Sequence, residues 1–223
     1  LVRLSDRGGA RTIVTTNFDR LLEKATSQLS LAAETYALGA IPRPTYRLDF
    51  AGVMHIHGAL QGEPLRRSDL IITDQDFGEF YLRRRVVPDL IYDAARLFHL
   101  VLVGYSANDP PMRYLLNAVA ADGTRFDDLK TRYTFTAEGH ELAVELEDWR
   151  GRGIEPIPYS HANDHEMLAK TLIAWAKLSP HTGARADLDA TLCRLVKRKR
   201  AIAPQQDRDL FDHLIRRDRD DRP

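Results

Sequence analysis

Three short polar segments of the chain contain side chains that can act on a small substrate: Thr15–Asp19 (TTNFD), His55–Gly58 (HIHG) and Gly104–Asp109 (GYSAND). Asn17 has a neutral amide that both donates and accepts hydrogen bonds, which suits the positioning of a water or a hydroxyl group. Histidine titrates near neutral pH, and the second segment contains two histidines, His55 and His57. Together these residue types allow a nucleophile to be oriented and deprotonated.

Each of these segments follows a short run of residues that predicts a β-strand. The clearest is Leu100–Val103, which is too short for a helix and rich in branched residues, as in buried parallel strands. Pro110 and Pro111 suit the first turn of the next helix, with Asp109 as its N-cap. Because the carboxyl ends of parallel strands lie along one edge of a sheet, the three loops can be neighbours.

The alternation of strands and helices predicts an α/β fold with a Rossmann-like, doubly wound parallel sheet. A long helix is predicted from a cap at Thr73 or Asp74 through Leu97, with a break at Pro88, and Asp164 is predicted to cap a later helix. The remaining predicted strands lie near Glu34–Ala37 and at Asp69–Ile72, Arg132–Thr136 and Ile154–Tyr159.

Structural roles compete with the catalytic ones for the same residues. Asn17 and Asp19 can simply cap the helix that follows their loop. His55 and His57 alternate along a strand and therefore point to opposite faces, so one of them can be a hydrogen-bonded core histidine. The same spacing splays the two rings apart, and we predict no metal site.

Composition limits the classes of function. Lys and Arg together number 32, as do Asp and Glu, so no overall charge favours nucleic acid or a membrane. Cys193 is the single cysteine, which excludes a disulfide framework and a multi-cysteine zinc site in this chain. No apolar run reaches the roughly 18–20 residues of a membrane span, and we expect a cytoplasmic protein. The cluster Lys197–Arg200 fits a phosphate contact, a solvated helix face or a contact to another chain, so direct contact with nucleic acid stays open.

In this order, the three segments resemble the motifs of the sirtuin superfamily, and most closely the SIR2-like domains of bacterial antiphage defence proteins that consume NAD. The resemblance covers most of residues 11–178 and includes Leu70–Phe77 (LIITDQDF). Thr15–Asp19 stands at the sirtuin Thr-x-Asn-x-Asp motif, and His57, directly before Gly58, stands at the catalytic histidine. Gly104, Ser106 and Asp109 fall on the Gly-x-Ser loop.

This resemblance implies an NAD+ hydrolase that releases nicotinamide and ADP-ribose, with NAD as substrate and no metal. Asn17 would position water or a ribose hydroxyl, and His57 would be the general base. Asp19 would hold the nicotinamide amide or stabilise positive charge. The residues expected to bind the dinucleotide are Thr15, Thr16, Gly104, Ser106 and Asp109, the last two on the adenosine ribose.

Two departures from the sirtuin pattern keep alternatives open. The glycine-rich phosphate loop, Gly-Ala-Gly-x-Ser, is not recognisable, since Gly8–Ala10 lies too close to the Thr15 strand. We therefore expect a missing N-terminal segment, and the alternative is a catalytically inactive SIR2-like scaffold. The four-cysteine zinc module of protein-deacylating sirtuins is also absent, which disfavours a second alternative, NAD-dependent deacylation.

The expected organisation is a SIR2-like NAD-binding domain over residues 1–178 and a helical, Arg-rich extension with a disordered end over residues 179–223. Residues 179–184 are the expected hinge. Enzymes that destroy NAD must be silent until needed, so we expect a homo-oligomer or a complex with a defence partner. An Argonaute-like protein, a helicase and a phage-derived trigger are the candidates, and the extension is the expected contact.

Overall fold

The first sheet consists of three parallel strands. β1 (Thr12–Thr15) and β2 (Thr35–Ala37) flank β3 (Gly52–His55) in the order β1-β3-β2. β3 is buried along its whole length, as expected for a central strand covered on both faces. The computed structural model describes residues 1–6, 10–29, 33–60, 70–105, 110–122, 129–139, 141–178 and 185–220.

The second sheet is also parallel, and its order is β4-β5-β6. It contains β4 (Leu100–Leu102), β5 (Arg132–Ala137) and β6 (Ile154–Tyr159). The predicted α/β class with parallel strands is therefore confirmed. Within the described residues these six strands form two three-stranded sheets, whereas the sequence pattern predicted one.

Helices connect and cover these strands. A 3₁₀-helix follows β2 at Leu38–Ala40, and a six-residue π-helix at Gly78–Arg83 continues α2. The α-helices of the described residues are α1 (Leu21–Gln28), α2 (Asp74–Phe77), α3 (Val86–Leu97), α4 (Pro110–Asp122), α5 (Leu142–Gly151), α6 (Ala162–Leu178), α7 (Arg185–Val196) and α8 (Gln205–Asp220).

One hydrophobic core joins elements of both sheets. Apolar side chains from the strands and from the helices that cover them pack into a single cluster, so burial of apolar area holds the two sheets in one fold. Its fully buried members include Met54, Ile56, Val87, Val119 and Ile154.

The predicted strand at Asp69–Ile72 is wrong over its described residues, which are Leu70, Ile71 and Ile72. The backbone N–H of Ile72 donates to Asp76 Oδ2 over 3.2 Å, and the N–H of Thr73 donates to the same oxygen over 2.9 Å. The N–H of Ile71 donates to the His57 carbonyl oxygen over 2.8 Å, but the N–H of Ile72 is used by the cap of α2, so the pairing stops after Ile71.

The long helix breaks earlier than the sequence predicted. Thr73 caps α2 as expected, with a reciprocal capping box to Asp76. The break falls at Arg85, which has a left-handed φ of 53°, whereas Pro88 lies inside the first turn of α3. Proline is tolerated there because the N–H groups of a first turn need no helical partner.

The predicted N-cap at Asp164 lies inside α6, where the helix is kinked. Asn163, Asp164 and His165 are all left-handed, with φ between 53° and 60°, and interrupt the start of α6. Asn and Asp enter this region more readily than other residues with a Cβ, which explains why a kink forms here. The predicted N-cap at Asp109 and the predicted hinge at 179–184 lie outside the described residues.

The basic cluster Lys197–Arg200 forms ion pairs within the chain. Arg200 makes a two-pronged pair with Asp212 at 2.7 Å for each contact, and Arg198 contacts Asp207 at 2.8 Å. These contacts join the cluster to α8. The division of the chain at residue 178 stays a prediction. Over the described ranges, no helix is long and apolar enough to cross a bilayer.

Candidate active site

The pairing of β1 with β3 brings the first two predicted loops side by side. Thr15 is in register with His55 at the carboxyl ends of the two strands. Beyond this point, the N–H of Ile56 donates to Thr15 O over 3.0 Å, and the N–H of Leu60 donates to Phe18 O over 2.8 Å. The segment that carries Asn17 and the segment that carries His57 therefore run together past the edge of the sheet.

Asn17 is exposed at the surface, and its backbone is held from both sides. Its N–H donates to Thr15 Oγ1 over 3.1 Å, and its carbonyl oxygen lies 2.8 Å from His55 Nδ1. The side-chain amide is thus presented to solvent from a fixed backbone. Thr15 and Thr16, which were predicted to bind the dinucleotide, are partly buried beside it.

Asp19 lies at the entrance to α1 and is partly buried. Its Oδ1 accepts a hydrogen bond from the N–H of Leu21 over 3.0 Å. This contact satisfies one of the N–H groups that the first turn of a helix leaves without a helical partner. Arg20 is the N-cap residue of α1, so Asp19 makes this structural contact from the position before the N-cap.

His55 is the fully buried histidine of the pair, with no exposed surface. Its Nδ1 donates to the Asn17 carbonyl oxygen, and its Nε2 lies 2.8 Å from Glu23 Oε1. Thr35 Oγ1 donates to the same Glu23 oxygen over 3.1 Å. His55 is thus a hydrogen-bonded core histidine whose two ring nitrogens both meet oxygen atoms.

Glu23 stays ionised in this buried place because its neighbours donate to it. Burial alone would raise the pKa of Glu23. Hydrogen bonds from His55, from the Glu23 backbone and from Thr35, together with the charge of His55, instead lower that pKa below its ordinary value of 4.5. The guanidinium of Arg20 lies 3.9 Å from the same carboxylate and adds a positive charge.

His57 is also buried, with 7% of its surface exposed. Its Nε2 lies 2.7 Å from the hydroxyl of Tyr81 in the π-helix. The ring of Phe77 meets it edge-on, with centroids 5.5 Å apart and an interplanar angle of 87°. The N–H of Ile71 donates to the His57 carbonyl oxygen over 2.8 Å. Ring and backbone are therefore both fixed by the segment that follows.

The sequence did not predict two contacts of the site histidines, that of Glu23 with His55 and that of Tyr81 with His57. Glu23 could have been noticed as a carboxylate in α1 next to the apolar positions Leu22 and Ala25. Tyr81 lies just beyond the LIITDQDF segment, in a helix whose π geometry no simple apolar period predicts. Short π-helical segments occur often at functional sites, which makes this contact with His57 notable.

The third predicted loop is described only at its start. Gly104 has a φ of +67°, a left-handed conformation that suits glycine, at the end of β4. Tyr105 packs against the hydrophobic core. Ser106 and Asp109, the predicted contacts to the adenosine ribose, lie outside the described residues.

A cavity of about 530 Å³ opens at the opposite edge of the first sheet. Arg11, Glu34 and Gly52, at the amino ends of the three strands, line it together with Glu23, whereas Asn17 and His57 do not. Among the residues that the structure describes, no three His, Cys, Asp or Glu side chains are grouped as a metal ion would need.

The chain is similar in sequence to known proteins. The family described as the SIR2-like domain matches residues 11–157. A relative named "Uncharacterized protein y4cA", from Sinorhizobium fredii (strain NBRC 101917 / NGR234), is 37% identical over 164 residues. This alignment covers 70% of the present chain and 14% of that relative, so the chain corresponds to a small part of the relative's length.

Proposed function

The chain belongs to the SIR2-like family, and we propose that it is the catalytic domain of an NAD+ glycohydrolase. SIR2-like domains use NAD, which supports this dinucleotide as the proposed substrate. The main support for this proposal is that the segments containing Asn17 and His57 lie side by side beyond the ends of β1 and β3. Loops at the carboxyl ends of parallel strands are where open α/β sheets bind nucleotides.

The proposed reaction exchanges one bond at the anomeric carbon of the nicotinamide ribose. The bond from C1′ to the pyridinium nitrogen breaks, and nicotinamide leaves neutral with the bonding electrons. Water supplies the oxygen of the new bond to C1′ and loses a proton, which gives ADP-ribose. Because the leaving group departs early, C1′ gains oxocarbenium character, and the protein must orient the water beside it.

The residues of the two segments suit distinct parts of this task. The exposed amide of Asn17 would position the water or a ribose hydroxyl. His57 would accept the proton, and the Tyr81 hydroxyl and the Phe77 ring fix the orientation of its imidazole. Asp19 would hold the nicotinamide amide in addition to its contact with Leu21.

The remaining predicted contacts would hold the rest of the dinucleotide. Thr15 and Thr16 precede Asn17 in the chain, and Gly104 lies just beyond β4 of the second sheet. Ser106 and Asp109 follow Gly104 and would bind the adenosine ribose.

Burial of His57 favours a second candidate, a SIR2-like binding module without turnover. A ring that is 7% exposed and hydrogen-bonded to Tyr81 suits a structural role as well as a catalytic one. Protein deacylation is disfavoured because the chain has a single cysteine, Cys193, and therefore no four-cysteine zinc module of its own.

Nicotinamide release separates these functions. The full-length protein is incubated with NAD+, with and without an acetylated peptide, and nicotinamide and ADP-ribose are quantified. The proposal predicts release without peptide and its loss in Asn17→Ala and His57→Ala, with NAD+ binding retained in the Asn17 variant. Asn117→Ala, an exposed asparagine on α4, is the matched control and keeps full activity. NAD+ binding without release would favour the binding module, and peptide-dependent release would favour the deacylase.

We also propose that the activity serves antiphage defence and is held silent by an oligomer or by a partner protein. The helical extension after residue 178 is the proposed contact. The test follows cellular NAD+ after phage infection in bacteria that produce the full-length protein or its Asn17→Ala variant. A fall in NAD+ only with the active protein supports the proposal, and an equal NAD+ level in both strains contradicts it.

A further inference from the structure

The buried ring of His55 contacts two different parts of the chain, the backbone carbonyl of Asn17 and the carboxylate of Glu23. A histidine with no exposed surface needs partners for its two ring nitrogens, and one of these partners is the backbone carbonyl of Asn17. This carbonyl belongs to the loop beyond β1, whereas Glu23 belongs to α1 on the far side of the same loop. His55 therefore links the start of the loop to the helix that ends it.

Proton positions in this cluster follow from its acceptors. A carbonyl oxygen only accepts, so Nδ1 of His55 must carry hydrogen to bond Asn17 over 2.8 Å. The Nε2 contact with Glu23, also 2.8 Å, holds an imidazolium beside the carboxylate while Glu23 is ionised, and a neutral ring that accepts from the carboxylic acid once low pH protonates Glu23. In both arrangements Nδ1 stays protonated, and the bond to Asn17 persists.

We propose that His55 is a positioning residue, which anchors the Asn17 backbone to Glu23 and so sets the place of the Asn17 amide at the reacting ribose. This inference rests on the proposed function for its effect on turnover. The anchor itself is a property of the chain that can be measured without NAD+. His55 touches no substrate in this scheme and acts through Asn17 alone.

Two substitutions, each of which places an amide nitrogen where one ring nitrogen lies, divide the roles of the two ring nitrogens. In His55→Asn, the side-chain amide nitrogen takes the place of Nδ1 and can still donate to Asn17 O. In His55→Gln, the amide nitrogen takes the place of Nε2, so the contact with Glu23 is kept and the contact with Asn17 is lost. Both variants shorten or reshape the same buried side chain, which makes each the control for the other.

The expected effect follows from the geometric demands of catalysis. Displacement of a positioned group by about 1 Å can cost roughly 10²-fold in rate. We therefore expect kcat of His55→Gln to fall by roughly 10²-fold with little change in KM, and His55→Asn to retain most of the wild-type kcat. Thr35→Val removes a 3.1 Å contact with Glu23 but leaves both His55 contacts, so it controls for a general loss of stability.

NMR of the His55 ring and hydrogen exchange of the loop amides test, without any activity measurement, whether His55 holds the Asn17 backbone. In the wild-type full-length protein, the ring signals of His55 must show a protonated Nδ1. The amides of Thr16–Phe18 must exchange faster in His55→Gln than in His55→Asn or Thr35→Val. A bare Nδ1, or equal exchange in the two His55 variants, would overturn the inference. If the wild-type protein releases no nicotinamide, the proposed function fails while these two measurements still test the anchor.

Discussion

Replacement of Tyr81 by Phe tests whether the π-helix fixes the ring of His57. The substitution keeps the aromatic ring and removes the hydroxyl that lies 2.7 Å from His57 Nε2. Tyr81 is 4% exposed and His57 is 7% exposed, so water cannot readily replace the lost partner. A buried polar group without its partner costs about 1–3 kcal/mol. For a domain of this size, we expect Tm to fall by about 2–12 °C.

The same change should slow turnover, because the imidazole loses the contact that sets its orientation. We expect kcat to fall roughly 10- to 100-fold and KM to change little. Tm is followed by calorimetry, and turnover by nicotinamide release from NAD+. Tyr36→Phe is the matched control, because its hydroxyl bonds the Glu34 carboxylate at the surface, and its expected cost is within about 0.5 kcal/mol.

A Tyr81→Phe protein with wild-type Tm and wild-type kcat would refute the assignment of Tyr81 as the group that holds His57. Loss of stability without loss of kcat would leave Tyr81 as a packing contact and would argue against His57 as the general base. Only a fall in both quantities, with Tyr36→Phe unchanged, agrees with the proposed arrangement.

Three further predictions concern the framework of the site. Gly52→Ala should destabilise the protein by about 2–5 kcal/mol, because the φ of Gly52 is +138° and a Cβ there would lie 2.7 Å from Glu34 O. Gly39→Ala is the control and should be tolerated, because the space around Gly39 is open. Equal urea midpoints for the two variants would contradict this prediction. Thr73→Ala removes the capping box of α2 and should cost about 1 kcal/mol in urea unfolding, and an unchanged midpoint would show that the cap is dispensable. Folding lowers the pKa of Glu23 from its ordinary value of 4.5, so the ionised carboxylate stabilises the folded protein at pH values above 4.5. This stabilisation is lost as the pH falls through the pKa of Glu23 in the folded protein. Urea midpoints measured from pH 7 to 3 should therefore decline more steeply below about pH 4.5 in the wild-type protein than in Glu23→Gln, and parallel curves would exclude this role.

Local patterns in the sequence predicted those parts of the fold that depend on neighbouring residues. The apolar run at Leu100–Val103 predicted β4, and the alternation of strands and helices predicted a parallel α/β fold. The cap at Thr73 was also predictable, because the Thr side chain and Asp76 three residues later act within one turn. The spacing of His55 and His57 allowed one of them to be a core histidine. The structure buries both rings, His55 at the end of β3 and His57 beyond the strand.

The remaining features depend on contacts between distant parts of the chain. Glu23 meets His55 only after β3 has paired with β1, and Tyr81 meets His57 only through a π-helix that apolar periodicity does not encode. The false strand at Leu70–Ile72 shows the converse case. The N–H of Ile71 bonds the His57 carbonyl oxygen, but the N–H of Ile72 donates to the Asp76 side chain, so the pairing does not continue into a ladder.

A crystal structure of the full-length Asn17→Ala protein with NAD+ tests the central claim most directly. The account predicts that the nicotinamide ribose lies over the ends of β1 and β3, with C1′ between residue 17 and the ring of His57. A dinucleotide bound elsewhere, such as in the cavity lined by Arg11 and Gly52, would contradict it.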